Sequence, residues 1–222
     1  MAVLNLTSNY PPGQALRLQL GKWASLSPAH FFRSTDGSPA DYPTAVSLMA
    51  DEQFLHVKFA CEKDEFVLEN YLTGHNEPLY NQEVFELFIA AGEADPSQYL
   101  EFEINPNDAI WVGKITNPGV GDSGRISTEM IGHEASGILH EATTGNKRWS
   151  GSFSIPWALV STERQARYRI NFYRIVSKKS QPEKTWICDA DNAEFLCWNS
   201  TLSGTEPAFH RPKRFGSLDL VE

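Results

Sequence analysis

Two stretches of the chain place hydrogen-bonding side chains at alternate positions. Alternation with apolar residues puts Glu101, Glu103 and Asn105 on one strand face, and Arg167, Arg169, Asn171 and Tyr173 on another. Carboxylates, amides and guanidinium groups form hydrogen bonds with the hydroxyl groups of a polyhydroxylated ligand. If both faces line one concave sheet, they form either a binding site for such a ligand or a lattice of exposed ion pairs. The residues alone leave both interpretations open.

Aromatic side chains supply the apolar contacts that such a ligand needs, because rings stack on its C–H faces. Trp111 and Trp198 follow turn-rich or polar stretches and are therefore candidate stacking platforms. A place in the core is the favoured alternative for both. Trp149 lies on the apolar side of its predicted strand, and we expect it to pack in the core.

A pair of carboxyl groups also raises the question of hydrolysis. Glu101 and Glu103 stand two residues apart on one strand face, roughly 7 Å from each other. This separation falls within the range of catalytic pairs in glycoside hydrolases. Neighbours on one strand rarely flank a bond from both sides, so binding without catalysis is favoured and a hydrolase stays an alternative.

Hard oxygen ligands cluster in the segment DADNAE at residues 189–194. Asp189, Asp191 and Glu194 are the candidate ligands of a structural calcium ion, the one cofactor that the sequence suggests. The six histidines show no close spacing of the kind found in helical zinc sites.

Charge and composition exclude several classes of protein. The net charge is −9, and residues 51–108 contain fourteen acidic but two basic residues, which disfavours binding to nucleic acid. No apolar run is long enough to span a membrane. The first thirteen residues lack the features of a signal peptide, so the chain is cytoplasmic as it reads, or extracytoplasmic if an export signal was removed.

Three cysteines are too few for a disulfide framework. Cys61 continues an apolar series and is expected in the core. Cys188 and Cys197 could pair, although their spacing does not decide it.

The elements that position these side chains are predominantly β-strands. Period-two alternation recurs along the chain, and turn-rich segments separate the runs. Short helices are predicted only around residues 28–32 and 156–164. The pattern predicts an all-β fold, an antiparallel β-sandwich of two packed, jelly-roll-like sheets with one or two short helices, in a single domain over residues 1–222.

Several motifs occur in a fixed order along nearly the whole chain. The early tryptophan is Trp23, residues 44–51 read T-x-V-x-L-x-x-D, and residues 80–89 end in an E-x-F strand. The strand from residue 99 reads Y-x-E-F-x-x-N-P, and residues 149–156 read W-x-x-x-x-x-I-P. Residues 171–174 read N-F-x-R, and residues 209–218 read F-H-x-P-x-x-F-G-x-L. This ordered set resembles the family 9 carbohydrate-binding module and its wider relatives, the DOMON-like β-sandwich domains.

The resemblance implies a non-catalytic domain that binds sugar and often accompanies polysaccharide-degrading enzymes. Members of the family hold the end of a sugar chain between two aromatic rings, and these positions match Tyr80 and Phe209. The carboxylate of the E-x-F strand matches Glu86, and the motif asparagines match Asn105 and Asn171. The resemblance also places Trp23 in the core.

We therefore predict non-catalytic binding of a mono- or oligosaccharide, with a separate polysaccharide-degrading enzyme as a partner. Tyr80 and Phe209 would form the stacking walls. The further predicted ligand-binding residues are Glu86, Glu103, Asn105, Trp111, Arg169, Asn171, Tyr173, Trp198, His210 and Arg211. Arg169 is expected to balance the charge of Glu103. Because some DOMON relatives carry haem between histidine and methionine, haem binding through Met49 or Met130 is an alternative.

Overall fold

The alternating segments form two packed β-sheets in the computed structural model, which describes residues 13–119, 125–181 and 183–222. The strands are β1 (Ala15–Gln19), β2 (Ala24–Ser25), β3 (Phe32–Arg33), β4 (Thr44–Ala50), β5 (Phe54–Glu62), β6 (Val84–Ala91), β7 (Gln98–Ile104), β8 (Ile110–Thr116), β9 (Ser127–Met130), β10 (Leu139–Gly145), β11 (Arg148–Pro156), β12 (Arg167–Ser177), β13 (Ala193–Cys197) and β14 (Gly216–Val221). The predicted all-β sandwich of two sheets is confirmed.

The larger sheet has nine strands. Seven follow the order β1-β14-β12-β6-β7-β8-β9, while β13 pairs with the second half of β12 and β3 pairs with β13. β1 runs parallel to β14, whereas the other pairs formed by the described strands are antiparallel. The smaller sheet has the order β10-β11-β5-β4-β2.

The main core lies between the two sheets and is built from the apolar positions of the alternating strands. Phe59 of β5 stacks on Phe85 of β6, with ring centroids 4.0 Å apart and planes 9° from parallel. Trp149 is buried against the edge of Phe59, which confirms its predicted place in the core. Gly151 on β11 leaves room for this stack, because a Cβ atom there would lie 2.7 Å from Cζ of Phe59.

A buried ion pair crosses the core between the two sheets. Arg174 of β12 and Asp64, just after β5, have fully buried side chains, and their Nη2 and Oδ2 atoms lie 3.0 Å apart. The guanidinium also donates to the backbone oxygens of Pro43 and Glu62. Asp64 Oδ2 accepts a further hydrogen bond from Nε1 of Trp149.

The outer face of the nine-stranded sheet, which turns away from the smaller sheet, carries a second apolar cluster. Nearly every residue of β6 and β7 is buried, on both faces of the sheet. Leu79 and Phe209, which lie in connecting segments, belong to this cluster. Loops therefore cover part of the outer face and form the walls of a site there.

The helices are short. They comprise α1 (His133–Ser136), α2 (Trp157–Val160) and 3-10 turns at Val67–Glu69, Leu79–Asn81 and Pro212–Arg214. The helix predicted around residues 156–164 is present as α2, but the one predicted around residues 28–32 is absent, because bends there lead into β3, which begins at Phe32. No helix in the described part of the chain has the length and hydropathy needed to cross a membrane.

One further prediction from the sequence is wrong. Trp23 is 44% exposed and lies beneath the ammonium group of Lys58, 4.6 Å from the ring centroid, rather than in the core. Cys188 and Cys197, whose pairing the sequence left open, are both free thiols. Cys61 is buried in the core as predicted. The signal-peptide prediction concerns residues 1–13, of which residues 1–12 lie outside the described residues.

Candidate functional site

Cross-strand pairing brings an acidic row together on the outer face. Glu86 of β6 pairs with Glu103 of β7 on one side and with Tyr173 of β12 on the other. Glu103 in turn pairs with Trp111 of β8. Directly opposed residues point to the same side of an antiparallel sheet, so these four side chains form one row. Glu101 lies in the neighbouring row on the same face.

The carboxyl groups of this row are almost completely buried. Glu86 is 1% exposed, Glu101 is 4% exposed and Glu103 is fully buried. Glu86 Oε1 and both carboxyl oxygens of Glu103 receive no hydrogen bond from an N–H or hydroxyl group of the described residues, although the carboxyl groups of Glu101 and Glu103 can bond each other when one of them is protonated. Buried polar atoms without partners are rare in folded proteins, so these oxygens indicate a place for a ligand or water.

Burial also changes the charge of these groups. It raises the pKa of Glu101 to about 8 and the pKa values of Glu86 and Glu103 well above their ordinary range. The negative charges of the neighbouring carboxyl groups raise the pKa values of Glu86 and Glu103 further. At neutral pH the cluster therefore retains protons, and it can both donate and accept hydrogen bonds.

Two aromatic rings border the carboxyl groups. Tyr80, in the 3-10 turn before β6, is 47% exposed, and its ring meets that of Trp111 edge to face at 6.2 Å. Burial and the charges of Glu103 and Glu101 raise the pKa of the Tyr80 hydroxyl. We call Tyr80, Glu86, Glu101, Glu103 and Trp111 the acidic site.

Gly113 allows the Trp111 ring to lie close against the outer face. A Cβ atom at Gly113 would lie 2.4 Å from Cη2 of Trp111 and 2.9 Å from Cγ2 of Thr128. Real Cβ atoms do not approach other atoms so closely, so a larger residue would displace the Trp111 ring. The sequence prediction did not assign a role to Gly113.

A half-buried histidine lies beside the carboxyl cluster. His210 stacks on Phe88, with centroids 5.2 Å apart, and its Nδ1 is 2.7 Å from the Tyr99 hydroxyl. Its Nε2 is 4.0 Å from Oε2 of Glu101. Burial lowers the pKa of His210 to about 4, so the imidazole is neutral at pH 7. Next to it, the half-buried Arg211 precedes the last 3-10 turn.

Phe209 packs into the protein instead of forming an open wall. It is 8% exposed and stacks on Tyr173, with ring centroids 4.5 Å apart and planes 26° from parallel. The Tyr173 hydroxyl donates to the Phe209 carbonyl oxygen at 3.3 Å. Phe209 and Tyr173 are therefore packed inside the protein. Of the two rings predicted to form the stacking walls, Tyr80 is the exposed one.

The two motif asparagines are engaged by the backbone. Asn105 donates to the carbonyl of Leu72 and accepts from the backbone N–H groups of Asn107 and Ala109. Asn171 donates to the carbonyl of Asn199 and accepts from its N–H group. Because both side-chain amides already form hydrogen bonds with the backbone, their predicted role in ligand binding is not supported.

Arg169 lies on the same sheet and the same face as Glu103, as expected, but the two do not pair. Its guanidinium lies 2.6 Å from Asp95 and donates to the backbone oxygens of Phe215 and Gly216. The expected charge balance is therefore absent. Arg169 forms its ion pair with Asp95 in the loop between β6 and β7 instead.

Trp198 is wrongly predicted as a ligand-binding residue. It is fully buried in the main core, against the edge of Phe172, and its indole N–H donates to the carbonyl of Ser27. Its polar group therefore has a protein partner, and its ring faces the smaller sheet.

The predicted calcium ligands do not converge. Asp189 accepts hydrogen bonds from the N–H groups of Asp191 and Asn192 and so closes a turn. Glu194 forms an ion pair with Arg33 at 2.9 Å. Among the described residues, the acidic segment at 189–194 does not bring three potential metal ligands close together.

Comparison with solved structures defines the class of fold. The chain superposes on a protein of Bacteroides uniformis described as a candidate carbohydrate-binding protein, with a TM-score of 0.64, 13% identity, and coverage of 95% of this chain and 99% of the other. It also superposes on a family 9 carbohydrate-binding module from Caldicellulosiruptor kristjanssonii in complex with cellotriose, with a TM-score of 0.54, 13% identity and 93% coverage of each chain. The same module with glucose gives a TM-score of 0.53 at 13% identity, over 94% of this chain and 96% of the other. The chain therefore has the β-sandwich fold of these carbohydrate-binding modules.

Sequence comparison defines the family. The chain is 30% identical over 149 residues to an extracellular protein of Arthroderma benhamiae, covering 64% of this chain and 67% of the relative. The chain belongs to the family of this fungal extracellular protein. No family model matches the chain.

Proposed function

We propose that the chain is a single domain that binds carbohydrate at the acidic site without catalysing a reaction. One observation carries the proposal: three buried carboxyl groups lie beside the exposed ring of Tyr80, and two of them, Glu86 and Glu103, have oxygens that receive no hydrogen bond from an N–H or hydroxyl group of the described residues. A sugar offers both hydroxyl groups for the carboxyl oxygens and a C–H face for the ring.

The protonation of the cluster suits a neutral polyhydroxylated ligand. A protonated carboxyl group donates one hydrogen bond and accepts others, which matches the hydroxyl group of a sugar. A cluster that holds protons at neutral pH also avoids the repulsion that three ionised neighbours would suffer. Burial keeps competing water away from these hydrogen bonds.

The arrangement favours binding over hydrolysis. Glu86, Glu101 and Glu103 stand side by side on one sheet face. A glycoside hydrolase needs its two carboxyl groups on either side of the scissile bond.

Haem binding is not supported by the surroundings of the two methionines in the described part of the chain. Met49 pairs in register with His56, but both ring nitrogens of His56 are hydrogen-bonded, to Ser154 and Asp51. Met130 is half exposed at the end of an edge strand.

The comparisons support the carbohydrate proposal by analogy. Two of the structures with this fold are complexes with cellotriose and glucose. The fungal relative is described as extracellular, and plant or microbial polysaccharides are met outside the cell. A polysaccharide-degrading enzyme on a separate chain is the partner that we propose for such a module.

The role of Tyr80 is tested by truncating its ring. A calorimetric screen of mono- and oligosaccharides identifies the preferred sugar, and Tyr80→Ala is expected to weaken its binding about tenfold, or about 1.4 kcal/mol. Trp23→Ala is the control, because Trp23 is an equally exposed aromatic residue beside the other sheet. Equal losses in both variants would argue against a ring contact at Tyr80.

The role of the carboxyl cluster is tested by Glu103→Leu. Leucine fills similar space but cannot hydrogen-bond, so we expect binding to fall at least tenfold while stability is kept or increased, because an unpartnered buried polar group is removed. Glu129→Leu, at an exposed position of the same sheet, should leave binding unchanged. Failure of every sugar to bind, or full binding by Glu103→Leu, would overturn the proposal.

A further inference from the structure

Three histidines converge at a second place in the molecule. His75 and His133 stack with ring centroids 3.9 Å apart, and His140 meets both rings edge on, at 5.4 and 5.2 Å. One potential ligand atom from each histidine lies within 4.8 Å of the other two. Within the described parts of the chain this is the one group of three or more such residues close enough to share a metal ion.

The closest pair of ring nitrogens has the separation that a metal ion would require. Nε2 of His133 and Nε2 of His140 are 3.1 Å apart. Two nitrogens bound to one tetrahedral zinc ion, at about 2.0–2.1 Å each, lie roughly 3.3 Å apart. The observed separation of these two nitrogens is therefore close to the one that a shared metal ion would impose.

A carboxylate orients one of the three rings. Nδ1 of His140 is 2.9 Å from Oδ1 of Asp108, so Nδ1 donates its proton there and Nε2 presents its lone pair to the other histidines. A carboxylate behind a metal-bound histidine is the usual supporting interaction in protein zinc sites. The side chain of His140 is 11% exposed, which limits its rotation.

His75 is the adaptable member of the group. It is exposed, and its Nδ1 accepts a hydrogen bond of 3.2 Å from the backbone N–H of Ile110. Rotation of the His75 ring would break the hydrogen bond with Ile110 and turn a ring nitrogen towards the metal ion. The backbone that follows His75 is held in place, because Asn76 forms hydrogen bonds with the backbone of Ile110, Val112 and Ile131.

The four residues come from separate parts of the fold. His75 lies in the loop before β6, Asp108 in the β7–β8 turn, His133 at the start of α1 and His140 on β10. β7 and β8 belong to the nine-stranded sheet and β10 to the five-stranded sheet. A shared ion would therefore connect β10 of the smaller sheet, through His140 and its partner Asp108, with the β7–β8 turn of the larger sheet.

We propose that His75, His133 and His140 bind one divalent transition-metal ion of the zinc class, with Asp108 orienting His140. Imidazole nitrogen is a preferred ligand of such ions, whereas calcium and magnesium prefer oxygen. Three protein ligands leave a fourth position open to water or a ligand. This site is separate from the acidic site, and the proposal does not depend on sugar binding.

The test is zinc titration of untagged protein, because a polyhistidine tag would bind the same ions. Competition with a chromogenic chelator should give one zinc ion per chain, and zinc should raise the melting temperature. Calcium should produce neither effect. Absence of zinc binding, or binding of calcium instead, would refute the site.

Variants locate the ion. His133→Ala and His140→Ala should each lower zinc affinity at least a hundredfold, and Asp108→Asn should lower it by about 10- to 100-fold. His30→Ala is the matched control, since His30 is an exposed histidine outside the cluster. Circular dichroism of the zinc-free variants checks folding. Unchanged affinity in both His133→Ala and His140→Ala would contradict the assignment even if zinc binds elsewhere.

Discussion

The carboxyl groups of Glu86, Glu101 and Glu103 reduce the stability of the free protein in a pH-dependent way. A glutamate with a raised pKa in the folded state binds more protons when folded than when unfolded. Its ordinary pKa is 4.5, and that of Glu101 rises to about 8. Stability therefore falls as the pH increases from about 4.5 towards 8.

Glu101→Gln should reduce this pH dependence. The window from pH 6.5 to 8 is the informative one, because His210, with its pKa lowered to about 4 from 6.5, affects stability mainly below it. Urea unfolding of the wild-type protein should show a free energy of unfolding that decreases across this window, with a shallower slope in Glu101→Gln. Glu129→Gln should retain the wild-type slope. Identical slopes in all three proteins would show that Glu101 keeps an ordinary pKa.

The alternation of polar and apolar residues predicted which face of a strand most site side chains lie on, but not which residues they form ion pairs with. The period of two correctly places Glu103 and Arg169 on the same face, because neighbouring side chains on a strand point to opposite sides. The partner of Arg169 is Asp95, in the β6–β7 loop, and no periodicity describes a loop. The histidines of the proposed zinc site were missed because they lie far apart along the chain, with His75 58 residues before His133.

At the scale of elements, long strands were predictable and short ones were not. β5 and β11 have nine residues each, and their alternation is visible in the sequence. β2 and β3 have two residues each, too few to show any period. The bends at residues 28–32 and the four-residue helix α1 likewise depend on packing rather than on local pattern.

Gly151 shows how one strand position fits the two neighbouring strands of its own sheet, β5 and β10. A Cβ atom there would lie 2.7 Å from both the Glu141 carbonyl oxygen and Cζ of Phe59. Gly151→Ala should therefore destabilise the fold by about 1–3 kcal/mol, the usual cost of overpacking. Gly132→Ala is the control, because nothing lies within 4 Å of its added Cβ atom. Both variants can be measured by urea unfolding, and equal stabilities would contradict the tight packing at Gly151.

At the scale of the whole molecule, the Arg174–Asp64 pair links the two sheets through the core. Removing one member of a buried pair leaves a charge without a partner and typically costs 3–5 kcal/mol. We expect Asp64→Asn to lose stability in this range. Asp41→Asn, which breaks the exposed pair with Lys63, should cost no more than about 1 kcal/mol.

A double-mutant cycle tests whether the two charges act together. Arg174→Met combined with Asp64→Asn should lose less stability than the sum of the single losses, by about 0.5–3 kcal/mol. The free energies come from urea unfolding. Strict additivity would mean that Arg174 stabilises the core through its bonds to the Pro43 and Glu62 carbonyls and the Thr44 hydroxyl, independently of Asp64.

The parallel pairing of β1 with β14 determines how the described chain bears a mechanical load. Five consecutive residue pairs join these strands, from Ala15 with Ser217 to Gln19 with Val221. A pull on residue 13 and residue 222 acts on opposite ends of the two strands and drags one along the other. The interstrand hydrogen bonds are then sheared together instead of being opened one after another. This edge of the sheet is thus arranged to resist stretching between its two strand ends.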